Sequence, residues 1–228
     1  MAAEGGTTGD TYRSEIVEEP GLEAAINERI DGEVRFDSYS RELYATDASA
    51  YRRVPIGVVF PQHVEDVVAV MRYCASEQIP VLPRGGGTSL AGQAVNEAVV
   101  LDFTKHMAMV DPVDVEQQVV RAEAGVILDG LNEQIAHTGL KFPPDPSWGD
   151  KSTLGGAIGN NSTGSHSLLY GKTDYYLEEV EAVLADGSTA TFGEMTIEQL
   201  RAEADPDGSL LEAIYARVLQ VLEEHAES

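Results

Sequence analysis

The chain has 228 residues, 43% of them hydrophobic, and its 39 Asp and Glu residues against 15 Lys and Arg residues give a formal net charge of -24. This length and apolar content fit one large or two small globular domains and exclude an intrinsically disordered chain. The negative charge argues against nucleic acids and anionic membranes as partners, because Lys and Arg side chains drive binding to both.

The sequence also limits the cellular setting. It has no apolar run of about 18 residues, so no transmembrane helix is expected, and its polar, acidic N-terminus lacks the features of a secretory signal. We therefore expect a cytoplasmic protein, and peripheral attachment at the inner membrane face stays open. A single cysteine, Cys74, excludes an internal disulfide framework and a Cys-ligated cluster within this chain.

The charged residues have an unusual balance. Four of the basic residues are lysines and eleven are arginines, and the carboxylates are spread along the whole chain. At molar salt the Debye length falls to about 3 Å, which screens the repulsion within such a surface. The composition therefore favours a halophilic protein over an ordinary acidic cytosolic one.

The first half of the chain predicts alternating helices and strands. Residues 1–19 read as an acidic leader, and Pro20 begins a helix with Leu22, Ala25, Ile26 and Ile30 on one face. A loop is expected at 44–51, a strand at 56–60 and a helix at 63–78 whose apolar face holds Val64, Val67, Val68, Met71, Cys74 and Ala75. Strands follow at 81–82 and 97–103.

The second half mixes hairpins with helices. The sequence predicts a strand at 117–124 and a helix at 126–138 that Gly139 ends, followed by a segment at 142–166 that is rich in Pro, Gly, Asn and Ser. It then predicts strands at 177–185 and 188–192 joined by Asp186 and Gly187, and a helix at 209–225 with Leu211, Ile214, Tyr215, Val218 and Leu222 on one face. The irregular order favours an α+β fold with mixed sheets over a doubly wound one.

A first candidate site is the glycine-rich segment at 83–93, PRGGGTSLAGQ. Consecutive glycines after a strand allow positive φ angles and a close approach of the backbone to a ligand. Their N–H groups can form a nest for phosphate oxygens, while Thr88, Ser89 and Arg84 add donors. A tight structural turn is an equally good interpretation of three glycines alone.

A second candidate site lies at 153–164, TLGGAIGNNSTG, where Leu154 and Ile158 could hold the segment to a core. The alternative is a plain glycine-rich loop, but two such segments favour one extended anionic ligand that both would bind. Other phosphate motifs fail on their spacing. A P-loop ending at Lys172 would need glycine where His166 stands, and a dinucleotide fingerprint starting at Gly85 would end on Leu90.

Five motifs occur together in a fixed order: PRGGGTSLAGQ, FPPDPS at 142–147, TLGGAIGNNSTG, YGKT at 170–173 and VLADGS at 183–188. With the segment at 44–67, they resemble the FAD-binding part of the FAD-linked oxidases, the vanillyl-alcohol-oxidase or PCMH type. Within that superfamily the chain looks most similar to D-lactate, glycolate and 2-hydroxyglutarate dehydrogenases of the long form, in which an iron–sulfur part follows. The resemblance covers roughly residues 40–225.

The resemblance implies a PCMH-type domain of two small α/β subdomains at 41–228, preceded by a leader and helix at 1–40. It implies non-covalent FAD, because Thr88 stands where some relatives carry the histidine that attaches to the flavin. Glu181 to Val183 would offer backbone contacts to adenine. The implied cofactor-binding residues are Pro83, Arg84, Gly85, Gly86, Gly87, Thr88, Ser89, Gln93, Pro144, Asp145, Pro146, Ser147, Thr153, Gly155, Gly156, Gly159, Asn160, Gly164 and Val183.

The implied reaction is oxidation of a 2-hydroxy acid such as D-lactate or glycolate to the 2-oxo acid, with electrons passing to an iron–sulfur, quinone or cytochrome acceptor. The cap domain that carries the substrate-binding residues of these enzymes is not in this sequence, so we expect a fragment. The alternative is a non-catalytic FAD-binding subunit that needs a separate cap. A cell-wall precursor reductase of the same fold is less well supported.

Individual polar residues near the motifs allow several interpretations. The five histidines show no metal-ligand spacing in the sequence, and His166 is the one placed to approach flavin or substrate. Trp148 is either a packing residue or a lid. Asp145 is expected to order its loop and not to act as a base. Cys74 is expected in the core.

Overall fold

A mixed four-stranded sheet and an antiparallel hairpin, each packed with helices, form the α+β architecture of the protein. A computed structural model describes residues 21–225. The strands are β1 Glu33–Arg35, β2 Gly57–Phe60, β3 Val81–Arg84, β4 Val99–Asp102, β5 Glu179–Val183 and β6 Thr189–Gly193. The α-helices are α1 Leu22–Asn27, α2 Ser38–Leu43, α3 Val64–Ser76, α4 Leu128–Ile135, α5 Leu154–Gly159, α6 Ser167–Tyr170, α7 Ile197–Glu203 and α8 Leu210–Glu224, and Ala136–Thr138 and Thr173–Tyr176 are 3-10 turns.

The four-stranded sheet has the order β1-β2-β4-β3. The β1–β2 pair is antiparallel, whereas β2–β4 and β4–β3 are parallel. All four residues of β2 and all four of β4 are buried, as their continuous apolar runs require of central strands covered on both faces. The carboxyl ends of β3 and β4 lie side by side, because Arg84 is opposite Asp102 in the register.

Helix α3 supplies one face of the core. Val67, Val70 and Cys74 are buried against the sheet, as the spacing predicted for the first and last of them. Val64, predicted on the same face, is 43% exposed, because it begins the helix, and Asp66 is buried instead.

Helix α1 and strand β1 precede residue 41, where the sequence suggested that the main domain begins. Leu22 and Ile26 of α1 belong to the same core cluster as Val59, and β1 pairs with β2. The segment 21–40 is therefore part of the sheet and its core. The predicted leader at 1–19 lies outside the described residues.

The predicted hairpin is confirmed as β5 and β6. The N–H of Gly187 donates to Leu184 O, and Gly187 has a φ of +77°, a left-handed conformation that favours glycine. A Cβ there would lie 2.3 Å from Cγ of Arg72, so the hairpin turn packs closely on α3. This second sheet is purely antiparallel, so only the larger of the two described sheets is mixed.

Some predicted elements were wrong. Residues 117–124 do not form a strand, because Val119 and Ala122 make only isolated bridges to the segment at 110–114. The segment at 142–166, for which the sequence predicted no helix or strand, contains α5. The predicted helix at 209–225 is confirmed as α8, but on its predicted inward face Tyr215 is buried whereas Val218 and Leu222 are 42% and 47% exposed. No helix among the described residues is long and apolar enough to cross a bilayer.

Candidate functional site

The two glycine-rich segments meet in the folded chain. A Cβ on Gly86 would lie 2.0 Å from the carbonyl oxygen of Lys151, and one on Gly85 would lie 2.1 Å from Oγ1 of Thr153. The Oγ atoms of Thr88 and Ser152 are 3.3 Å apart. Neither close approach is possible with a larger residue, so packing requires glycine at both positions.

The first glycine loop leaves the carboxyl end of β3, which Pro83 and Arg84 complete. Gly87 has a φ of +64°, a conformation that few other residues adopt. Ligands of open parallel sheets commonly bind beyond the carboxyl ends of the strands, where this loop lies.

The guanidinium of Arg84 holds the first glycine loop in place. Its Nη1 donates to the carbonyl oxygens of Ala94 (2.7 Å) and Tyr44 (3.1 Å), and its Nη2 donates to that of Thr46 (2.8 Å). Its burial lowers the pKa of Arg84. The sequence suggested that this guanidinium would donate to an anion, whereas these N–H groups are committed to the backbone.

A polar pair that the sequence motifs do not reveal, Tyr44 and Asp102, lies beside Arg84, whose Cζ is 5.1 Å from the centroid of the Tyr44 ring. The Tyr44 hydroxyl donates to Asp102 Oδ2, and Asp102 Oδ1 accepts two bonds of 2.7 Å from the N–H and hydroxyl of Thr104. Burial and the Asp102 carboxylate raise the pKa of Tyr44. The one feature of the sequence that could have indicated this pair is Asp102, an acidic residue at the end of an otherwise apolar strand.

The second glycine segment forms helix α5 and docks on the chain at 124–126. The N–H groups of Leu154 and Gly155 donate to the carbonyl oxygens of Val126 and Ala124, and a Cβ on Gly155 would lie 2.8 Å from that of Ala124. Thr153, 2% exposed, caps the helix by accepting from the N–H of Gly156. These contacts fix α5 beside the first glycine loop.

The far end of α5 returns to the first loop. The Nε2 of Gln93 donates to Oδ1 of Asn160 across 3.4 Å. A Cβ on Gly159 would meet nothing within 4 Å, so this glycine faces open space that a ligand can occupy. The loop from Ser89 to Gln93 and the end of α5 therefore border one surface.

The proline-rich segment lines a cavity of about 310 Å³ beside helix α4. A Cβ on Gly164 would lie 2.1 Å from the carbonyl oxygen of Asp145, so the second glycine motif ends against this segment. The lining residues include Pro144, Asp145, Pro146 and Ser147 from the predicted set, with Leu128, Asp129, Asn132, Gly149 and Ser165.

The carboxylate of Asp145 links the proline-rich segment to residues 165 and 166, as expected of a residue that orders its loop. Its Oδ2 lies 2.5 Å from Nδ1 of His166 and accepts the Ser165 hydroxyl at 2.9 Å, while its Oδ1 accepts the N–H of His166. These bonds, the His166 side chain first, lower the pKa of Asp145 to about 2. His166 therefore lies at the edge of the cavity through its bond to Asp145.

Lowering the pH is expected to weaken the fold through Asp145. A carboxyl with a depressed folded-state pKa stabilises the fold above its unfolded pKa of about 4, and that contribution is lost as the pH falls toward 2. Asp145→Asn should therefore lower Tm at pH 6, and its difference from the parent should shrink as the pH falls below 4. Thermal unfolding of both proteins in high KCl measures this difference. Asp207→Asn is the control, and a pH-independent difference would contradict the assignment.

Lysines concentrate beside the site although the chain is strongly acidic. Three of the four, Lys141, Lys151 and Lys172, lie within 141–172. The Nζ of Lys151 is 5.2 Å from the ring centroid of Trp148, which is 46% exposed, and the Nζ of Lys141 is 4.6 Å from that of Tyr170. The Trp148 side chain thus has an exposed face at the site.

Val183 is the predicted site residue that lies apart from the glycine segments in the fold. It ends β5, and its side chain packs against the core cluster of α3 and the large sheet. The backbone contact to adenine that the resemblance implied for Val183 stays a prediction.

Comparison with known families gives one match over most of this region. Residues 55–193 match the family described as "FAD binding domain". D-2-hydroxyglutarate dehydrogenase from Pseudomonas putida is 36% identical over 169 residues, which is 73% of this chain and 17% of that protein. The Escherichia coli enzyme of the same name is 41% identical over 66% of this chain and 15% of its own length. The chain thus spans less than a fifth of these relatives.

The alignment with this chain covers a larger share of some other relatives. D-lactate dehydrogenase from Archaeoglobus fulgidus is 40% identical over 61% of this chain and 31% of that protein. Among solved structures, 6-hydroxy-D-nicotine oxidase from Arthrobacter nicotinovorans aligns with a TM-score of 0.63 at 23% identity, over 72% of this chain and 36% of that one. Alkyldihydroxyacetonephosphate synthase aligns with a TM-score of 0.62 at 21% identity, over 71% and 31%. These structural likenesses establish the fold.

Proposed function

The chain belongs to the FAD binding domain family, and from this premise we propose that it is the cofactor-binding part of a dehydrogenase that oxidises a 2-hydroxy acid to the 2-oxo acid. FAD is its cofactor. The observation that carries the proposal is the convergence of both glycine segments and the proline-rich segment on one surface. The names of its relatives, D-2-hydroxyglutarate and D-lactate dehydrogenases, support a 2-hydroxy acid as the substrate class.

The described residues fit an extended anionic cofactor. Gly87 has a left-handed backbone that a side chain would strain, and Gly159 borders open space, so backbone N–H groups can approach a pyrophosphate closely. We assign the pyrophosphate to the backbone of 85–89, with the hydroxyls of Thr88 and Ser89. The remaining contacts fall to Gln93, Pro144, Pro146, Ser147, Gly155, Gly156, Gly159, Asn160, Gly164 and the backbone of Val183, while Pro83, Arg84, Asp145 and Thr153 position them.

In this mechanism the protein's own residues bind the cofactor and orient it. Bound FAD supplies the hydride-accepting chemistry, and the fold determines where its reactive ring lies. Pro144 and Asp145 line the cavity next to the end of the second glycine motif, and the residues of this cavity would hold the flavin ring. We include α1 and β1 in the flavin-binding unit, because they complete its sheet and core.

The test of the proposal is the visible absorption spectrum of the purified chain in high KCl, before and after acid precipitation. A flavin band that moves into the supernatant is the expected result for a folded domain with non-covalent FAD. A band that stays with the pellet would overturn the non-covalent assignment. A colourless, folded protein that takes up no added FAD would overturn the function itself.

A second candidate is an FAD-binding module that does not turn over substrate alone. This candidate is favoured because the chain spans only 15% to 17% of the length of two similar D-2-hydroxyglutarate dehydrogenases. Turnover of D-lactate or D-2-hydroxyglutarate with an artificial acceptor by the FAD-loaded chain would exclude it. In either case we propose an iron–sulfur, quinone or cytochrome group as the natural electron acceptor. We propose the cytoplasm or the inner membrane face as the cellular location.

FAD affinity is expected to rise with salt, at least about threefold between 0.1 M and 2 M KCl. Most of the chain repels an anionic cofactor because the net charge is -24. Salt screens this repulsion, whereas the short contacts within the glycine loops are screened less. FAD titration followed by flavin fluorescence measures the change, and circular dichroism at both salt concentrations confirms that the fold is the same. Tighter binding at low salt would contradict the argument.

A further inference from the structure

Four hydrogen bonds join the two ends of the segment at 161–174. The carbonyl oxygen of Ser162 accepts both the hydroxyl of Thr173, at 2.9 Å, and its N–H, at 3.2 Å. Nδ2 of Asn161 donates to Oδ2 of Asp174, and Oδ1 of Asn161 accepts the N–H of Asp174, both at 3.0 Å. We call these four residues the loop neck, because the chain between them, 163–172, is a surface loop that returns to its own start.

Asn161 is the residue at which the chain leaves α5. Its φ is +45°, in the left-handed region that favours glycine. Its N–H donates to the carbonyl oxygen of Ile158, and the N–H of Ser162 donates to that of Ala157, which is the Schellman arrangement of a helix end. Glycine is the usual residue at this position, and asparagine is less common. Asparagine differs from glycine by its amide group, and both polar atoms of that amide bind Asp174.

The loop neck lies between residues that border the proposed cofactor surface. Just before it, Gly159 faces open space and Oδ1 of Asn160 accepts a bond from the first glycine loop. Just after it, Gly164 packs so closely that a Cβ would lie 2.1 Å from the carbonyl oxygen of Asp145. A change in the direction of the chain at the neck would therefore move the second glycine segment relative to both of its neighbours.

The loop that the neck closes adds little to the hydrophobic core. Helix α6 lies within it and has no buried residue, and both leucines of that helix are exposed. Thr173, by contrast, is 1% exposed, and its hydroxyl donates to the carbonyl oxygen of Ser162. Because closure of this loop removes little apolar surface from water, it contributes little to the global stability of the protein. Its main effect is to order the turn that follows α5.

We propose that Asn161, Thr173 and Asp174 are positioning residues for FAD, an inference that rests on the proposed function. The neck bonds join protein atoms only, so they fix the turn at 159–164 before FAD binds. A site that is already formed loses less conformational entropy on binding, and its affinity for the ligand is correspondingly higher. The three side chains act through the backbone of 159–164 and need not touch the cofactor.

Exchanging the two paired side chains of the neck tests the proposal. Asn161→Asp keeps the acceptor for the N–H of Asp174 but sets one carboxylate against another, so FAD affinity should fall at least about tenfold. Adding Asp174→Asn supplies an amide that can donate in the reverse direction. The double variant should therefore recover the parent affinity to within about twofold. FAD titration of the full chain in high KCl, followed by flavin fluorescence, measures these affinities.

Thr173→Val and Thr173→Ser test the buried hydroxyl. Valine has nearly the same shape but no donor, so FAD affinity should fall about fivefold, whereas serine keeps the donor and should restore it. Visible circular dichroism of the FAD-saturated chain reports the surroundings of the bound flavin. It should change in Thr173→Val and in Asn161→Asp, and it should return to that of the parent in Thr173→Ser and in the exchanged pair.

Asn27→Asp is the control, because it adds an equal charge at an exposed position on α1 and should leave FAD binding unchanged. Parent-like affinity and dichroism in Asn161→Asp and Thr173→Val would overturn the inference and leave the proposed function intact. Losses that neither the exchanged pair nor Thr173→Ser recovers would also overturn it, because the hydrogen bonds of the neck would then not be their cause. A folded parent that binds no FAD would overturn the proposed function and this inference together.

Discussion

Gly86→Ala is expected to lower FAD affinity at least about 100-fold and to destabilise the fold by about 3 kcal/mol. The added Cβ would lie 2.0 Å from the carbonyl oxygen of Lys151, far inside van der Waals contact, and that oxygen belongs to a backbone that cannot rotate away. Overpacking against flexible side chains costs about 1–3 kcal/mol, and a backbone contact lies at the upper end of that range. Urea unfolding and FAD titration measure the two effects.

Gly130→Ala is the matched control for this substitution. Gly130 lies within α4, where a Cβ would have its nearest neighbour, Cβ of Ile127, at 4.0 Å. Alanine there should stabilise the helix by about 0.5–1 kcal/mol and leave FAD binding intact. Wild-type stability and affinity in Gly86→Ala would show that the two glycine segments do not pack as described.

Arg84→Met is expected to cost about 3 kcal/mol of stability and to abolish measurable FAD binding. The change removes the donor from three carbonyl groups, and those of Ala94 and Tyr44 lie in a partly buried setting. Each unsatisfied buried acceptor costs about 1–3 kcal/mol, and the exposed carbonyl of Thr46 can turn to water instead. Thermal and urea unfolding, with FAD titration, provide the measurement.

Two further variants, Arg53→Met and Arg84→Lys, distinguish a positioning role of Arg84 from a direct role as a cofactor ligand. Arg53 is exposed, so its replacement should change stability by less than about 0.5 kcal/mol. Arg84→Lys keeps the charge but cannot span three carbonyls, and should lose most of the stability that Arg84→Met loses. If Arg84→Lys were fully stable yet failed to bind FAD, the guanidinium would be a cofactor ligand and not a positioning residue.

The elements that the sequence predicted well carry their signal locally. Helix α3 has apolar residues at helical spacing, the strand β4 is an apolar run, and Gly187 ends a hairpin turn whose chemistry is short-ranged. The family resemblance rests on such local motifs as well. These features could therefore be predicted without any long-range contact.

The elements that the sequence did not predict depend on distant partners. Three of the six residues of helix α5 are glycines, which have poor helical propensity, and its position comes from backbone bonds to 124–126. Strand β1 has three residues and exists because β2 lies beside it. The roles of Arg84 and Asp102 follow from Tyr44, which lies far away in sequence.

The close packing of Gly86 on Lys151 also bears on how the chain folds. The two contact surfaces are far apart in sequence, so the cofactor cradle closes only after the intervening chain has been ordered, and long-range closure of this kind is slow. Contacts formed that late mainly oppose unfolding. FAD is therefore expected to slow the unfolding rate of the protein while leaving its refolding rate nearly unchanged, and neither glycine segment expressed without the other would retain flavin.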